Sequence, residues 1–196
     1  YHNKSGVWAG KYQNSHNMPH WHTDCELLYV ERGPIEIFCG NEKFIIREGQ
    51  ACFVGPEAIH YMHAQNHNSV IAVMIFGYGI IEGITDDKVL MHPYILNDYA
   101  IDQVYAVVKR ELSDKLPHFE QIVCDKIRDL FIEIMRNEPT TQRKKENSTA
   151  LTLRKLLDKI NEDYAEISFE DAYKFMSLEP AYFSRYFRRY TGMSFS

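Results

Sequence analysis

Ile167-Ser-Phe-Glu-Asp-Ala-Tyr-Lys-Phe-Met-Ser-Leu-Glu-Pro-Ala-Tyr-Phe-Ser-Arg-Tyr-Phe-Arg-Arg-Tyr-Thr-Gly-Met-Ser-Phe-Ser196 reads as two short helices around a tight turn. Ser168 is a good N-cap, and Phe169, Ala172, Tyr173 and Met176 follow at i, i+3, i+4 and i+7, one buried stripe at the helical period. Ser177 is the turn. Leu178 can tuck between the helices, and Pro180, with φ preset, suits the first position of a second helix. The second stripe is Phe183, Tyr186 or Phe187, and Tyr190, closed by Gly192. Ala181, Tyr182, Ser184, Arg185, Arg188 and Arg189 are left outward, an arginine-bearing face suited to a DNA groove. The plain alternative is a helical hairpin with solvated arginines.

The runs Ser168-Phe-Glu-Asp171, Pro180-Ala-Tyr-Phe-Ser-Arg-Tyr-Phe187 and Thr191-Gly-Met-Ser-Phe-Ser196 resemble the first helix-turn-helix of the AraC/XylS family of transcription regulators. The family's DNA-binding domain has two such units joined by a long helix. The resemblance therefore implies that a joining helix and second unit belong after Ser196, and that the reader is incomplete here. Two positions depart from the pattern. Tyr173 stands where a small residue usually lets the helices approach, and Glu179 stands where a serine usually caps. A glutamate there suits the helix dipole, caps poorly and faces phosphates.

With 196 residues, 45% of them hydrophobic, the chain has room for one large or two small domains. Its net charge of −5 argues against a uniformly basic nucleic-acid binder. From Ser168 to Ser196, however, Lys174, Arg185, Arg188 and Arg189 oppose Glu170, Asp171 and Glu179, four against three, or +1. So thin an electrostatic footprint predicts weak DNA binding from this segment alone. Cys25, Cys39, Cys52 and Cys124 lack CxxC spacing and sit in apolar runs, which reads as reduced core thiols. No apolar run is long enough for a membrane span, and none at Tyr1 reads as a signal peptide. A cytoplasmic protein without membrane contact is expected.

Working back from the C-terminus, Leu153, Leu156, Leu157, Ile160 and Tyr164 mark one further helix, and Asn137 to Thr149 reads as a linker. Ile101, Val104, Tyr105, Val108 and Leu112 form one more stripe. Ile122, Lys126 with Ile127, Leu130, Phe131 and Ile134 form another, with a break near Pro117. These two helices are either a dimer surface or packed, within one chain, back on the barrel or on each other. Up to Phe76 the sequence is a series of short β-type runs, Cys25 to Glu31, Ile35 to Cys39, Lys43 to Arg47, Ala51 to Val54 and Val70 to Phe76, punctuated by glycine and proline. Such strands imply a sandwich or small barrel.

Pro19-His20-Trp-His22-Thr-Asp-Cys-Glu26, with Gly33, and Gly49 to His60 carry a second constellation. In a strand His20 and His22 would share a face with Glu26, and His60 on a neighbouring strand would complete three nitrogens and one oxygen, a set suited to Fe, Mn, Ni or Zn. The spacing HxHx3Ex6G resembles the first cupin motif and Gly49 to His60 the second, with Gly55 in place of the usual Pro and Glu57 in place of the usual Gly. Sensor domains of the AraC type are cupin barrels that mostly bind small organic molecules without a metal. Three readings stay open: a metal site, a satisfied polar pair of His22 and Glu26, or the hydrogen-bonding wall of an effector pocket. Trp21, Tyr29, Phe38, Phe53 and Tyr61 are candidates for apolar lining.

The expectation is an α+β protein. Residues 1–90 form a cupin-like β-barrel that senses a small molecule, 91–146 a helical dimerisation segment and linker, and 147–196 the first half of a helix-turn-helix DNA-binding domain. It is a regulator rather than an enzyme, a homodimer whose partners are DNA and a small-molecule effector. His20, His22, Glu26, Tyr29 and His60 contact the effector, and Ala181, Tyr182, Ser184, Arg185, Arg188 and Arg189 contact DNA. No cofactor is expected; a divalent transition metal, if present, would use His20, His22, Glu26 and His60. The rival is a metal-dependent cupin enzyme, an oxygenase or isomerase, with a helical tail.

Overall fold

Strands and helices separate along the chain, and the computed structural model describes residues 6–85, 87–143, 148–162 and 167–195. Tyr164, Ser196 and part of the expected linker lie outside the described residues. Seven strands come first: β1 (Val7–Gln13), β2 (Cys25–Arg32), β3 (Ile35–Cys39), β4 (Glu42–Ile46), β5 (Ala51–Val54), β6 (His60–Ala64) and β7 (Val70–Phe76). Short strands β8 (Lys88–Leu90) and β9 (Tyr94–Ile95) precede helices α1 (Ile101–Asp114) and α2 (Phe119–Asn137). Strand β10 (Thr140–Gln142) then leads to α3 (Ser148–Glu162), α4 (Phe169–Phe175) and α5 (Pro180–Thr191). β3, β5 and β7 match the expected runs, while β1, β6 and the three short strands fall outside them.

The antiparallel strands form one sheet of order β1-β7-β2-β5-β9 and another of order β4-β3-β6. Leu28, Val30, Val73, Cys52 and Val54 of the larger sheet meet Ile35, Ile37, Ile46 and Met62 of the smaller in an inter-sheet core. On one flank the segment after β1 staples the sheets together: Ala64 N donates to Ser15 O (2.8 Å), and His20 and His60 exchange both backbone hydrogen bonds (3.0 and 2.9 Å). On the other flank β4 and β9 do not pair, so the sheets do not close into the expected barrel.

The reverse face of the larger sheet carries α1 and α2. Ile101, Tyr105 and Val108 of α1 and Val123, Ile127, Leu130, Phe131 and Ile134 of α2 share a core with Leu27, Met74 and Phe76. Phe131 meets Phe53 and Phe76 at ring-centroid distances of 4.7 and 5.5 Å. Within the chain the two stripes pack on the sheet and on each other. The stripe of α2 starts at Val123, because Ile122 and Lys126 turn to solvent. β9 also lies beyond residue 90 while belonging to this sheet. Part of the presumed linker is ordered too: the β-branched pair Thr140 and Thr141 lies on β10, which pairs with β8. The buried Glu138 carboxylate accepts from Asn97 N (2.9 Å), Asn97 Nδ2 (2.9 Å), Leu96 N (3.2 Å) and Tyr99 OH (2.9 Å).

In the C-terminal helices the caps and turns form as expected, while Phe169 of the first stripe stays exposed. Ser168 caps α4 and forms a reciprocal capping box with Asp171, whereas Glu179 makes no side-chain cap at α5. Ser177 takes the turn with φ 52° and Gly192 ends α5 at φ 71°. Leu153, Leu156 and Leu157 of α3, Ala172 and Met176, and Phe183, Tyr186 and Phe187 build a third core, joined from the sheet region by Ile59 and Trp21. Gly192 also lies against the Phe38 ring, where a Cβ would stand 2.6 Å away. The helical unit is thus seated on the sheets.

Candidate functional site

Glu26 is the second residue of β2, on the face turned toward the second sheet, and His60 opens β6. The backbone pairing of His20 with His60 brings the 18–24 segment alongside. This segment is irregular rather than a strand, so His20 and His22 converge through loop geometry and not through strand parity. One ring nitrogen from each of His20, His22 and His60 falls within a mutual 4.8 Å. Glu26 Oε2 lies 2.9 Å from His60 Nε2 and 3.3 Å from His22 Nε2.

The hydrogen-bond pattern fixes the chemistry of these rings. Each Nδ1 lies against a backbone carbonyl, which can only accept: Met18 O for His20 (3.0 Å), Asp24 O for His22 (2.9 Å) and Ala58 O for His60 (2.9 Å). Each Nδ1 therefore carries its proton, and each Nε2 of a neutral ring offers a lone pair to the centre. A carboxylate oxygen facing two such nitrogens needs positive charge between them, either protons on the imidazoles or a metal ion. The donor set, three imidazoles and one carboxylate, fits a divalent transition metal. Burial opposes the charge on Glu26, but hydrogen bonds from His22 and His60 outweigh it and hold the carboxyl at about 2. For His22, too, burial is overcome by Glu26 and its pKa is raised; His20, lacking a hydrogen bond to Glu26, is lowered to about 4 by burial and by His60.

Tyr29 does not join this cluster. It is three residues from Glu26 on β2, so strand parity turns it to the opposite face, where it packs with the α1–α2 core. None of the five aromatic candidates faces the inter-sheet core. Phe53 goes with Tyr29, Phe38 and Tyr61 stack on each other at 5.3 Å, and Trp21 packs against the helical unit. On α5 the six outward residues Ala181, Tyr182, Ser184, Arg185, Arg188 and Arg189 are all exposed, and seating on the sheets leaves that face open.

Sequence reasoning missed the contact between the cluster and the helices. Arg154 of α3 is only 4% exposed. Its Nε donates to Glu57 O (2.8 Å), Nη1 lies 3.3 Å from Glu57 Oε2, and the guanidinium lies 5.4 Å from the Trp21 ring centroid. Trp21 Nε1 in turn donates to Arg154 O (3.3 Å). Trp21 lies between His20 and His22 in sequence, and Glu57 and Ile59 alternate with Ala58 and His60, so the cluster's segments also hold α3. An arginine beside the Leu153, Leu156, Leu157 stripe was the available signal.

The family model described as the AraC-like ligand binding domain matches residues 7–146. Among solved structures, oxalate decarboxylase of Bacillus subtilis, studied for its Mn(II) centres, is 16% identical over 38% of this chain and 22% of its own, with a TM-score of 0.33. KdgF from a Halomonas species is 19% identical over 38% of this chain and 73% of its own, TM-score 0.35. An RmlC-like cupin from Shewanella frigidimarina is 19% identical over 37% and 66%, TM-score 0.32. The chain thus spans 22% of the oxalate decarboxylase. No curated protein matches it. Among the described residues no helix is long and apolar enough to cross a membrane.

Proposed function

The chain belongs to the AraC-like ligand binding domain family, and on that premise we propose that it is a ligand-responsive, sequence-specific transcription regulator, not an enzyme. The family match carries the sensing half. His20, His22, Glu26 and His60 form the hydrogen-bonding wall that meets a small-molecule effector within a cupin-like sheet region. The helices α4 and α5 act as the first helix-turn-helix. Ala181 and Tyr182 enter the major groove, Ser184 lies beside them, Arg185 reaches a base edge or phosphate, and Arg188 and Arg189 hold phosphates. The Trp21–Arg154–Glu57 contact supports coupling, because reorganisation of His20 or His22 moves the side chain that packs on α3. The regulator is a cytoplasmic homodimer, and its interface uses outward faces of α1 and α2, the inward ones being committed to the sheet.

The test is DNA binding. By fluorescence anisotropy the chain should bind duplex DNA weakly, with affinity falling steeply as salt rises, and Arg188→Ala should lower the salt slope by about one. Absence of binding to any genomic fragment at low salt, with or without effector, would sink the regulator reading. For the sensing half, a thermal-shift screen of sugars and small metabolites should find a ligand whose stabilisation shrinks in His22→Ala and His60→Ala without added metal.

One observation favours a second reading, a metal-dependent cupin enzyme: ring nitrogens of His20, His22 and His60 lie within 4.8 Å of one another, with Glu26 Oε2 against two of these rings. In that case His20, His22, His60 and Glu26 would hold a divalent transition metal, which when bound supplies a Lewis acid. The backbone carbonyls of Met18, Asp24 and Ala58 keep the three rings oriented. Purified protein carrying stoichiometric Mn, Fe, Ni or Zn and melting earlier after chelation would move the assignment to the enzyme.

A further inference from the structure

A cavity of about 330 Å3 opens beside the histidine cluster and is lined by none of its four residues. Phe53, Ile81, Leu90 and Pro93 give it apolar walls. Glu42 and Arg143 in its lining differ in how far they are already satisfied. The Glu42 carboxylate is engaged by His92 Nδ1 at 3.1 and 3.3 Å. Arg143, just past β10, donates through Nη2 to Tyr78 OH (3.0 Å) and Thr85 O (3.2 Å), with its guanidinium 5.2 Å from the Tyr78 ring centroid. Among the described residues its Nε and Nη1 donate to nothing and no carboxylate pairs with it. The guanidinium plane is therefore held in place with donors to spare, the arrangement that receives a planar carboxylate.

We propose that this cavity binds a small organic acid, its carboxylate on Arg143 and its hydrocarbon body against Phe53, Ile81 and Leu90. At about 30 Å3 per water-sized atom the space takes roughly ten non-hydrogen atoms. The described lining suits a monoanion better than a phosphate ester, since among the described residues Arg143 is the one Arg or Lys that lines the cavity and Glu42 would repel a second negative charge. An amine is disfavoured because Glu42 already has its partner. The site goes beyond the regulator reading and holds whether or not α5 binds DNA. Arg143 lies five residues before α3 in the sequence.

The full chain would be titrated with hexanoate and 3-phenylpropanoate, followed by thermal shift and calorimetry, with hexanamide and inorganic phosphate as comparisons. Saturable stabilisation by an acid but not by the amide or phosphate is expected. Arg143→Gln, at an exposed position, should bind roughly ten- to a hundredfold more weakly. Leu90→Trp, which fills the cavity, should abolish binding, and His22→Ala should leave it as it was. No stabilisation by either acid, equal binding of hexanamide, or unchanged binding in Arg143→Gln would overturn the proposal. Loss of acid binding in His22→Ala would overturn the separateness of the two sites.

Discussion

Val108→Glu is expected to leave little folded protein, rather than a soluble monomer. Val108 is fully buried between α1 and the larger sheet, in one cluster with Tyr105, Val123, Ile127 and Phe131. An unpaired carboxylate there finds neither hydrogen-bond donors nor water. Its desolvation costs several kcal/mol after relaxation, against a folding stability of about 5–15 kcal/mol for a domain. Val104→Glu, one turn earlier and only partly buried, is the control and should melt close to wild type. Circular dichroism melts of the two variants make the comparison. If Val108→Glu melts like wild type, the packing of α1 on the sheet is wrong and its stripe is free for a partner.

That pair of positions shows what the sequence could and could not say. The spacing of Ile101, Tyr105 and Val108 establishes that α1 has an apolar face. Nothing in a 3.6-residue period names what covers that face, and a dimer partner and a sheet leave the same trace. β1 escaped for a related reason. Val7 and Ala9 face the helices while Trp8 faces the inter-sheet core, so Val7-Trp-Ala-Gly-Lys shows no alternation. Gly10, a poor strand former, is also needed there, because a Cβ would stand 2.3 Å from the Trp8 ring. The turn chemistry of the last thirty residues was legible because caps and glycines act locally. Ser168, Ser177, Pro180 and Gly192 each do what their side chains or backbone freedom dictate, whatever the tertiary surroundings.

The histidine site was legible as a set and not as a geometry. Three of its residues were grouped by strand parity, yet residues 20–22 are not a regular strand, and His22 reaches Glu26 from a loop tied down by its own Nδ1 contact to Asp24 O. Tyr29 was misplaced although parity along β2 already separated it from Glu26. Glu57 carried a further signal. It occupies the position where the resembling motif usually has glycine, and its φ of 64° is the left-handed backbone that glycine tolerates best. A glutamate held there implies that a neighbouring contact holds the turn, and Arg154 supplies it.

Arg154→Ala should accordingly loosen the whole helical unit. The substitution removes a charge-assisted hydrogen bond to Glu57 O, worth about 1.5–3 kcal/mol, and a stacking contact with Trp21 worth roughly 0.5–2 kcal/mol. Hydrogen exchange should then quicken across α3, α4 and α5 while the inter-sheet core keeps its protection. Arg154→Lys should rescue little, because an ammonium neither stacks flat on indole nor offers a fork to the carbonyl. Glu57→Gly separates the two partners of the clasp. It keeps the backbone acceptor, relieves the left-handed backbone and deletes only an ion pair whose carboxylate side chain is 46% exposed, so its effect on docking should be small. A large effect of Glu57→Gly with a small one of Arg154→Ala would mean that surface charge seats the unit. The reverse order is what a buried guanidinium between a carbonyl and an indole requires, and it ties the seating of α3 to the residues that flank His20, His22 and His60.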